Sequence, residues 1–500
     1  MENYRQLKAR LAEIGDVLRA AQLLGWDQQT HMPPAGAEAR AYQLGTLSRI
    51  AHDMLVADET RRLIEATAAE VNGAGYDSEE ASLLRVARRD YDQEARLPSD
   101  FVAEFAQATT LAHAVWAKAR AENKFQNFAP TLEKILGLTR RLAEYLGYTD
   151  HIYDALLDRF EPGMKTAQVR AIFAELKQGL APLVQAISER LGAVDDTVLH
   201  REFDEDRQRD FSYEVIKQFG YDFTRGRVDR AVHPFQTNFS INDVRITTRY
   251  DRNFFNTALF GAMHETGHAL YELGVDSALE RTPLAAGASL GVHESQSRLW
   301  ENIVGRSRGF WKHFYPALQR TFPTPLGPVS LDTFYRAINK VQPSFIRVEA
   351  DEVTYNLHIM LRFELEQELL DGKVKVADLP EVWNARMRAY LGITPPTDAL
   401  GVLQDVHWSS GLLGYFATYA LGNLISVQLW DRAVADVPDI PAQIERGEFG
   451  PLREWLRQHV HQYGRKYMPD ELVRRVTGES IQSRSYLRYL KTKYGAIYGL

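Results

Sequence analysis

Residues 253–273 read NFFNTALFGAMHETGHALYEL, and their interpretation decides the fold and the chemistry of this chain. The stretch holds no proline, and Phe260, His264, Gly267/His268 and Tyr271 recur at helical spacing, so it predicts a helix. Gly274 stands where a helix of this phase would stop. Within it, His264-Glu265-Thr266-Gly267-His268 has the pattern HExxH. Positions i and i+4 share a helix face, so both imidazoles can address one metal ion. Glu265 lies off that axis, where it can act as general base on a water that the ion activates. Gly267 costs the helix about 1 kcal/mol relative to alanine, a cost expected where a ligand or a neighbouring helix must come close.

The rest of the chain limits how such an ion could be held. Among 500 residues there is no cysteine, which excludes disulfides, thiolate ligands and a cysteine nucleophile. Any transition metal must therefore sit on histidine and carboxylate. The extended form HExxHxxGxxH is absent, because 271 is tyrosine and 274 is glycine. Glu272 is on the same helix but about 12 Å along its axis from His264, too far for one tetrahedral ion. The third ligand must come from a second segment. His293-Glu294-Ser295-Gln296-Ser297 follows a turn-rich stretch at Pro283 to Gly287, and Glu294, Ser297/Arg298 and Glu301 form a polar stripe there. Glu294 is preferred to His293, since two histidines and one glutamate leave a position open for water and substrate. His293 is then expected behind a ligand.

Composition narrows the class further. Hydrophobic residues make up 45% and charged residues 25%, which suits a large buried core. With 59 basic against 66 acidic residues the net charge is −7, leaving no basic footprint for nucleic acid and no polybasic membrane patch. Residues 409–430 carry no charge, but Gly411, Gly414, Gly422 and Asn423 favour a buried helix pair over a membrane span. The N-terminus is amphipathic rather than a secretory signal, which points to a cytoplasmic protein. Leu7, Leu11, Ile14, Leu18 and Ala21 form a helical stripe there, and similar stripes recur over the first 190 residues. Residues 194–210 are densely charged and read as an exposed connection. In residues 237–250, Phe239, Ile241, Val244, Ile246 and Thr248 surround Asn242-Asp243 and read as a short hairpin. The expected class is mostly α with one small sheet.

Further motifs carry a resemblance. These are His233-Pro234-Phe235, Asp243-Val244-Arg245-Ile246-Thr247, Ile346-Arg347-Val348-Glu349-Ala350-Asp351 and the run Gly401-Val402-Leu403-Gln404-Asp405-Val406-His407-Trp408. With HETGH, HESQS and the N-terminal Trp26-Asp27-Gln28 and Met32-Pro33, they make the chain resemble the M32 metallocarboxypeptidases over nearly its whole length. Ala417 stands where the family pattern leads us to expect proline.

The resemblance implies a large helical body around a deep groove, with a small sheet near the metal, as one domain over 1–500. Within it, 1–200 would form a groove wall and 201–500 the metal-binding and catalytic part. It implies a homodimer that removes C-terminal residues from short peptides with broad specificity, using Zn²⁺ (or Co²⁺), one ion per chain. An exopeptidase of this kind needs a cation for the substrate's free carboxylate, and arginine offers a bidentate fork. Arg347 is the first candidate and Arg245 the second, the latter better suited to holding the sheet or the far end of the site. His407, Tyr415 and Tyr419 are donors suited to the developing oxyanion, and His407 and Tyr419 are carried forward as catalytic residues beside Glu265. Asp351 and Asp405 are expected to orient an arginine or a ligand histidine. An oligo-endopeptidase of the same chemistry is the alternative, and a helical binding protein with a degenerate site is the alternative of another class.

Overall fold

A computed structural model describes all residues, 1–500. The protein is predominantly helical, with one three-stranded sheet. The chain forms two compact units, each built from three stretches: 1–95, 195–338 and 426–480 in the first, 96–194, 339–425 and 481–500 in the second. The units therefore interleave along the sequence.

The first unit opens with the helices Glu2–Thr30, Ala37–Val56, Asp58–Glu70 and Glu79–Glu94. Leu7, Leu11, Ile14 and Ala21 are buried as their spacing predicts, whereas Leu18 is exposed. Each fully buried leucine contributes about 1.5–3 kcal/mol, which is how an amphipathic stripe becomes a packed helix. Residues 194–210 differ from the expected exposed connection. Val194, Val198, Leu199 and Phe203 are buried, and a helix begins at Glu205, capped by the Asp204 carboxylate on Arg207 N. That helix ends at Phe219, where Gly220 adopts a φ of 104°, open to glycine without strain.

The hairpin is present as β2 (Gln236–Ser240) and β3 (Asp243–Thr248), paired antiparallel with Thr237 opposite Arg245. A strand not expected from the sequence, β1 (Val228–Arg230), pairs parallel with β3 on its other edge. Val244 and Ile246 of β3 are fully buried in a cluster with Ala262 and Ala269 of the HExxH helix. The sheet is thereby fixed to the helix that carries the site.

The second unit is centred on the helix Tyr355–Leu370, in which fourteen residues are buried. Only Glu364 and Glu368, one turn apart, are partly exposed, so the other polar residues need partners within the core. Phe363 meets the rings of Tyr153 and Phe173 in T-shaped contacts. Residues 409–430 are not a helix pair: turns run to residue 416, and a single buried helix spans Ala417–Asp436. No helix of the protein is long and apolar enough to cross a membrane.

Candidate functional site

The HExxH helix spans Asn256–Leu273, and the helix Leu290–Arg298 crosses it closely enough that only glycine fits between them. A Cβ on Gly267 would lie 2.5 Å from the Gln296 carbonyl oxygen and 2.6 Å from Ser297 Cα. Both are backbone atoms, so neither can swing aside. Gly274 serves a similar end. Its φ of −90° is open to any residue, but a Cβ there would meet the His461 ring at 2.6 Å.

This approach brings Glu294 beneath both imidazoles. Its Oε2 lies 3.6 Å from His264 Nε2 and 3.5 Å from His268 Nε2. One ligand atom from each of the three residues falls within 4.8 Å of the others. Behind the rings, the Nδ1 atoms are engaged. His264 Nδ1 donates to Glu301 Oε2 at 2.9 Å, and His268 Nδ1 lies 2.7 Å from His293 Nδ1. Engaging Nδ1 as donor leaves the lone pair on Nε2, so both rings face Glu294 ready to bind a metal. Two imidazole nitrogens and a carboxylate form a donor set suited to a divalent transition ion.

Glu301 is placed by an irregularity. After Arg298 the chain continues as a π-helix, Leu299–Val304, whose wider turn sets the phase of Glu301 against His264. Arg298 joins the two acids, donating from Nε to Glu294 Oε1 at 2.7 Å and from Nη1 to Glu301 Oε2 at 3.3 Å. Glu272 reaches His293 instead of the ion position: His293 Nε2 donates to its Oε1 at 2.8 Å, and Asn238 Nδ2 donates to Oε2 at 3.2 Å.

Burial governs the charges. It would raise Glu294, but Arg298 and the two histidines outweigh it and hold the carboxylate well below its usual range. Glu301 is brought down to about 2 against the same burial by Arg298 and His264. Burial lowers His268 to about 3, keeping its ring neutral, whereas at His264 the acids Glu294 and Glu301 overcome burial and raise the pKa. Glu265 is 6% exposed, and burial pushes its carboxyl up to about 7. A carboxyl poised there accepts and releases a proton near neutrality.

The second unit assembles the other candidates. Arg347 is buried, with Nε and Nη2 each 3.0 Å from Asp405 Oδ1 and Nη1 donating to the Tyr355 hydroxyl at 3.0 Å. Asp405 also takes Arg362, from Nε at 2.6 Å and Nη2 at 2.5 Å on Oδ2. Phe416 lies against both guanidinium groups, and Tyr419 lies against Arg347. His407 Nε2 is 3.2 Å from the Tyr419 hydroxyl, and burial with Arg347 nearby lowers the ring to about 3, so it is neutral. Asp405 thus orients arginines. Asp351 holds its own segment, accepting from Gln342 N, Val353 N and Thr354 N, and not from a ligand histidine. Arg245 belongs to the first unit. It forks onto Asp243 at 2.8 and 2.9 Å and stacks between the rings of Trp26 and Phe239.

Three groups escaped the sequence reading of the site. Glu301 was seen only as part of a stripe, although it stands two turns beyond Glu294 on the same face. Arg362 and Glu366 lie among four charged residues of 355–370, and no spacing there separates these two, which are fully buried, from the partly exposed Glu364 and Glu368. Glu366 accepts from the Tyr153 hydroxyl, Trp408 Nε1 and Gly414 N, and burial raises it to about 7.

Fold and site define a class: a helical protein in which two histidines of an HExxH helix and a glutamate of the next α-helix could hold a metal ion. The description "Carboxypeptidase Taq (M32) metallopeptidase" matches residues 6–494. Thermostable carboxypeptidase 1 of Thermus thermophilus is 42% identical over 505 residues, covering 99% of this chain and 98% of that protein. Carboxypeptidase 1 of Bacillus subtilis is 40% identical over 488 residues, covering 98% and 97%. The crystal structure of an M32 carboxypeptidase from Deinococcus radiodurans R1 superposes with a TM-score of 0.97 at 41% identity, covering both chains in full. The chain belongs to the M32 family of metallocarboxypeptidases. It is accordingly a metal-dependent enzyme acting on peptides.

Proposed function

We propose that this enzyme removes C-terminal residues from short peptides with broad specificity, with one Zn²⁺ ion per chain held by His264, His268 and Glu294. Co²⁺ suits the same donors. The observation that carries this reading is the convergence of two Nε2 lone pairs on Glu294 Oε2. A bound ion supplies Lewis acidity at the scissile carbonyl and at the attacking water. Glu265 takes the proton from that water and returns it to the departing amine, closing the balance of a hydrolysis. Arg347 receives the substrate carboxylate. In support, two buried guanidinium groups share the single carboxylate of Asp405, leaving positive charge for an anion to neutralise.

His407 and Tyr419 form a neutral donor pair suited to the oxyanion, and Phe416 and Tyr419 wall the same cluster. Arg245 is the second candidate for the carboxylate. Its complete fork on Asp243 favours a role in tying the sheet to the first helix. Cytoplasmic residence and a homodimer, the latter implied by the family resemblance, complete the reading.

The test couples metal analysis to a product ladder from one long peptide and from its C-terminal amide. Stepwise loss from the free C-terminus with about one zinc per chain is expected. Internal cuts, or undiminished turnover of the amide, would replace this reading with the oligo-endopeptidase.

A further inference from the structure

The segment that carries Arg347 has almost no regular structure: between Ile338 and Tyr355 there is only the single turn Arg347–Glu349. Its backbone must find partners elsewhere, since unpaired buried polar groups are costly. Gln404 supplies the middle, accepting from Arg347 N at 2.9 Å and donating to the Phe345 carbonyl at 3.0 Å. The two ends are held by the last helix, Arg484–Tyr498. The Tyr498 hydroxyl accepts from Val341 N at 2.8 Å, and the Tyr486 hydroxyl donates to the Glu352 carbonyl at 2.7 Å. The Glu352 carboxylate takes Lys493 Nζ at 2.6 Å, the Tyr494 hydroxyl at 2.6 Å and the Tyr489 hydroxyl at 3.1 Å.

The side chains of Glu352 and Lys493 are only 4% and 8% exposed. A buried ion pair of this kind contributes little net stability over an apolar pair, but with three donors satisfied it fixes geometry tightly. The helix is itself anchored independently. Leu487 packs into the space left by Gly179, where a Cβ would lie 2.4 Å away, and Arg190 bonds the carbonyls of Tyr498 and Gly499. It is a bracket rather than a loose terminus.

We propose that the C-terminal helix is a positioning element for recognition of the substrate's terminal carboxylate, with Tyr498, Tyr486 and the Glu352–Lys493–Tyr494 cluster setting the reach of Arg347. This inference rests on the assignment of Arg347 to that carboxylate. None of these helix residues need touch substrate. They act through the segment they clamp, and small misplacements of a binding group cost heavily when two charges must meet at hydrogen-bond distance.

The test compares the zinc-loaded enzyme with Tyr498→Phe, Lys493→Met and Arg347→Met. KM and kcat are measured for a free-acid peptide, with the inhibition constant of its C-terminal amide and the metal content. Tyr498→Phe and Lys493→Met are expected to raise KM for the free acid about tenfold while kcat, amide affinity and metal content stay near wild type. Loss of a merely structural contact would move acid and amide together, and that result overturns the proposal. So does an unchanged KM in Tyr498→Phe, which keeps the ring and so preserves the packing if Lys493→Met fails to fold. Arg347→Met separates the two assumptions. If it leaves acid and amide discrimination intact, the carboxylate assignment fails and the clamp falls with it; if it abolishes discrimination while the helix variants do not, only the clamp fails.

Discussion

His268 Nδ1 and His293 Nδ1 lie 2.7 Å apart, a contact between two nitrogens that one proton must bridge. For His268 Nε2 to face the metal with its lone pair, Nδ1 must carry the proton and donate to His293. His293 is then protonated on Nε2, which donates to Glu272 Oε1 at 2.8 Å. The tautomer of a candidate ligand is thus set two residues away, whereas His264 is set directly by Glu301.

Replacing His293 by phenylalanine keeps an aromatic ring but removes the acceptor. Zinc affinity, measured by chelator competition, is expected to fall about 10–100-fold, the usual effect of losing a group behind a ligand. Glu272→Gln retains an acceptor and loses the charge, and should fall between wild type and His293→Phe. Equal affinity in all three proteins would mean that the ring needs no help to hold its orientation.

Gly267→Ala tests the crossing of the two helices. In an open helix this change gains about 1 kcal/mol. Here the added methyl meets backbone at 2.5 and 2.6 Å, so the helix Leu290–Arg298 must shift and carry Glu294 with it. The expected outcome is a lower melting temperature, with overpacking costs of about 1–3 kcal/mol, together with weakened metal binding. A gain in stability with full zinc content would show that the approach is not rigid.

The role proposed for Glu265 as base predicts the pH dependence of catalysis, since burial raises its carboxyl to about 7. As a base it must be ionised, so kcat/KM is expected to rise with pH through an acidic limb. A cation bound beside it favours the carboxylate and moves that limb to lower pH. Glu265→Gln should abolish turnover while retaining zinc. A variant that loses neither rate nor limb would assign the base elsewhere.

Much of this was legible because it depends on period. The two histidines, the glycine between the helices and the return of Glu294 all follow from helical spacing and reach. Glu301 was harder to read, since its contact with His264 depends on a π-helical stretch, Leu299–Val304, whose wider turn no apolar period announces. β1 escaped for a related reason: Val228-Asp229-Arg230 has one apolar residue and owes its strand form to pairing with β3. The partnership of Asp405 with two arginines needed three distant segments, and only its role as an orienting group could be read from the motif.

That partnership yields the last prediction. Asp405 is the single carboxylate bonded to both Arg347 and Arg362, and the two guanidinium groups outweigh burial to hold its pKa far below the usual range. Asp405→Asn strands two buried cations, so unfolding free energy should drop by about 3–5 kcal/mol in denaturant titration. The sign of the pH effect follows from the depressed pKa: the stabilisation is complete above the unfolded carboxyl value of about 3.9 and is lost as pH falls below it. The variant should therefore lose part of the acid sensitivity of the wild type. Arg362→Met in the Asp405→Asn background should recover stability, because it removes one of the stranded charges. A double variant no more stable than Asp405→Asn alone would place the cost in packing rather than in charge.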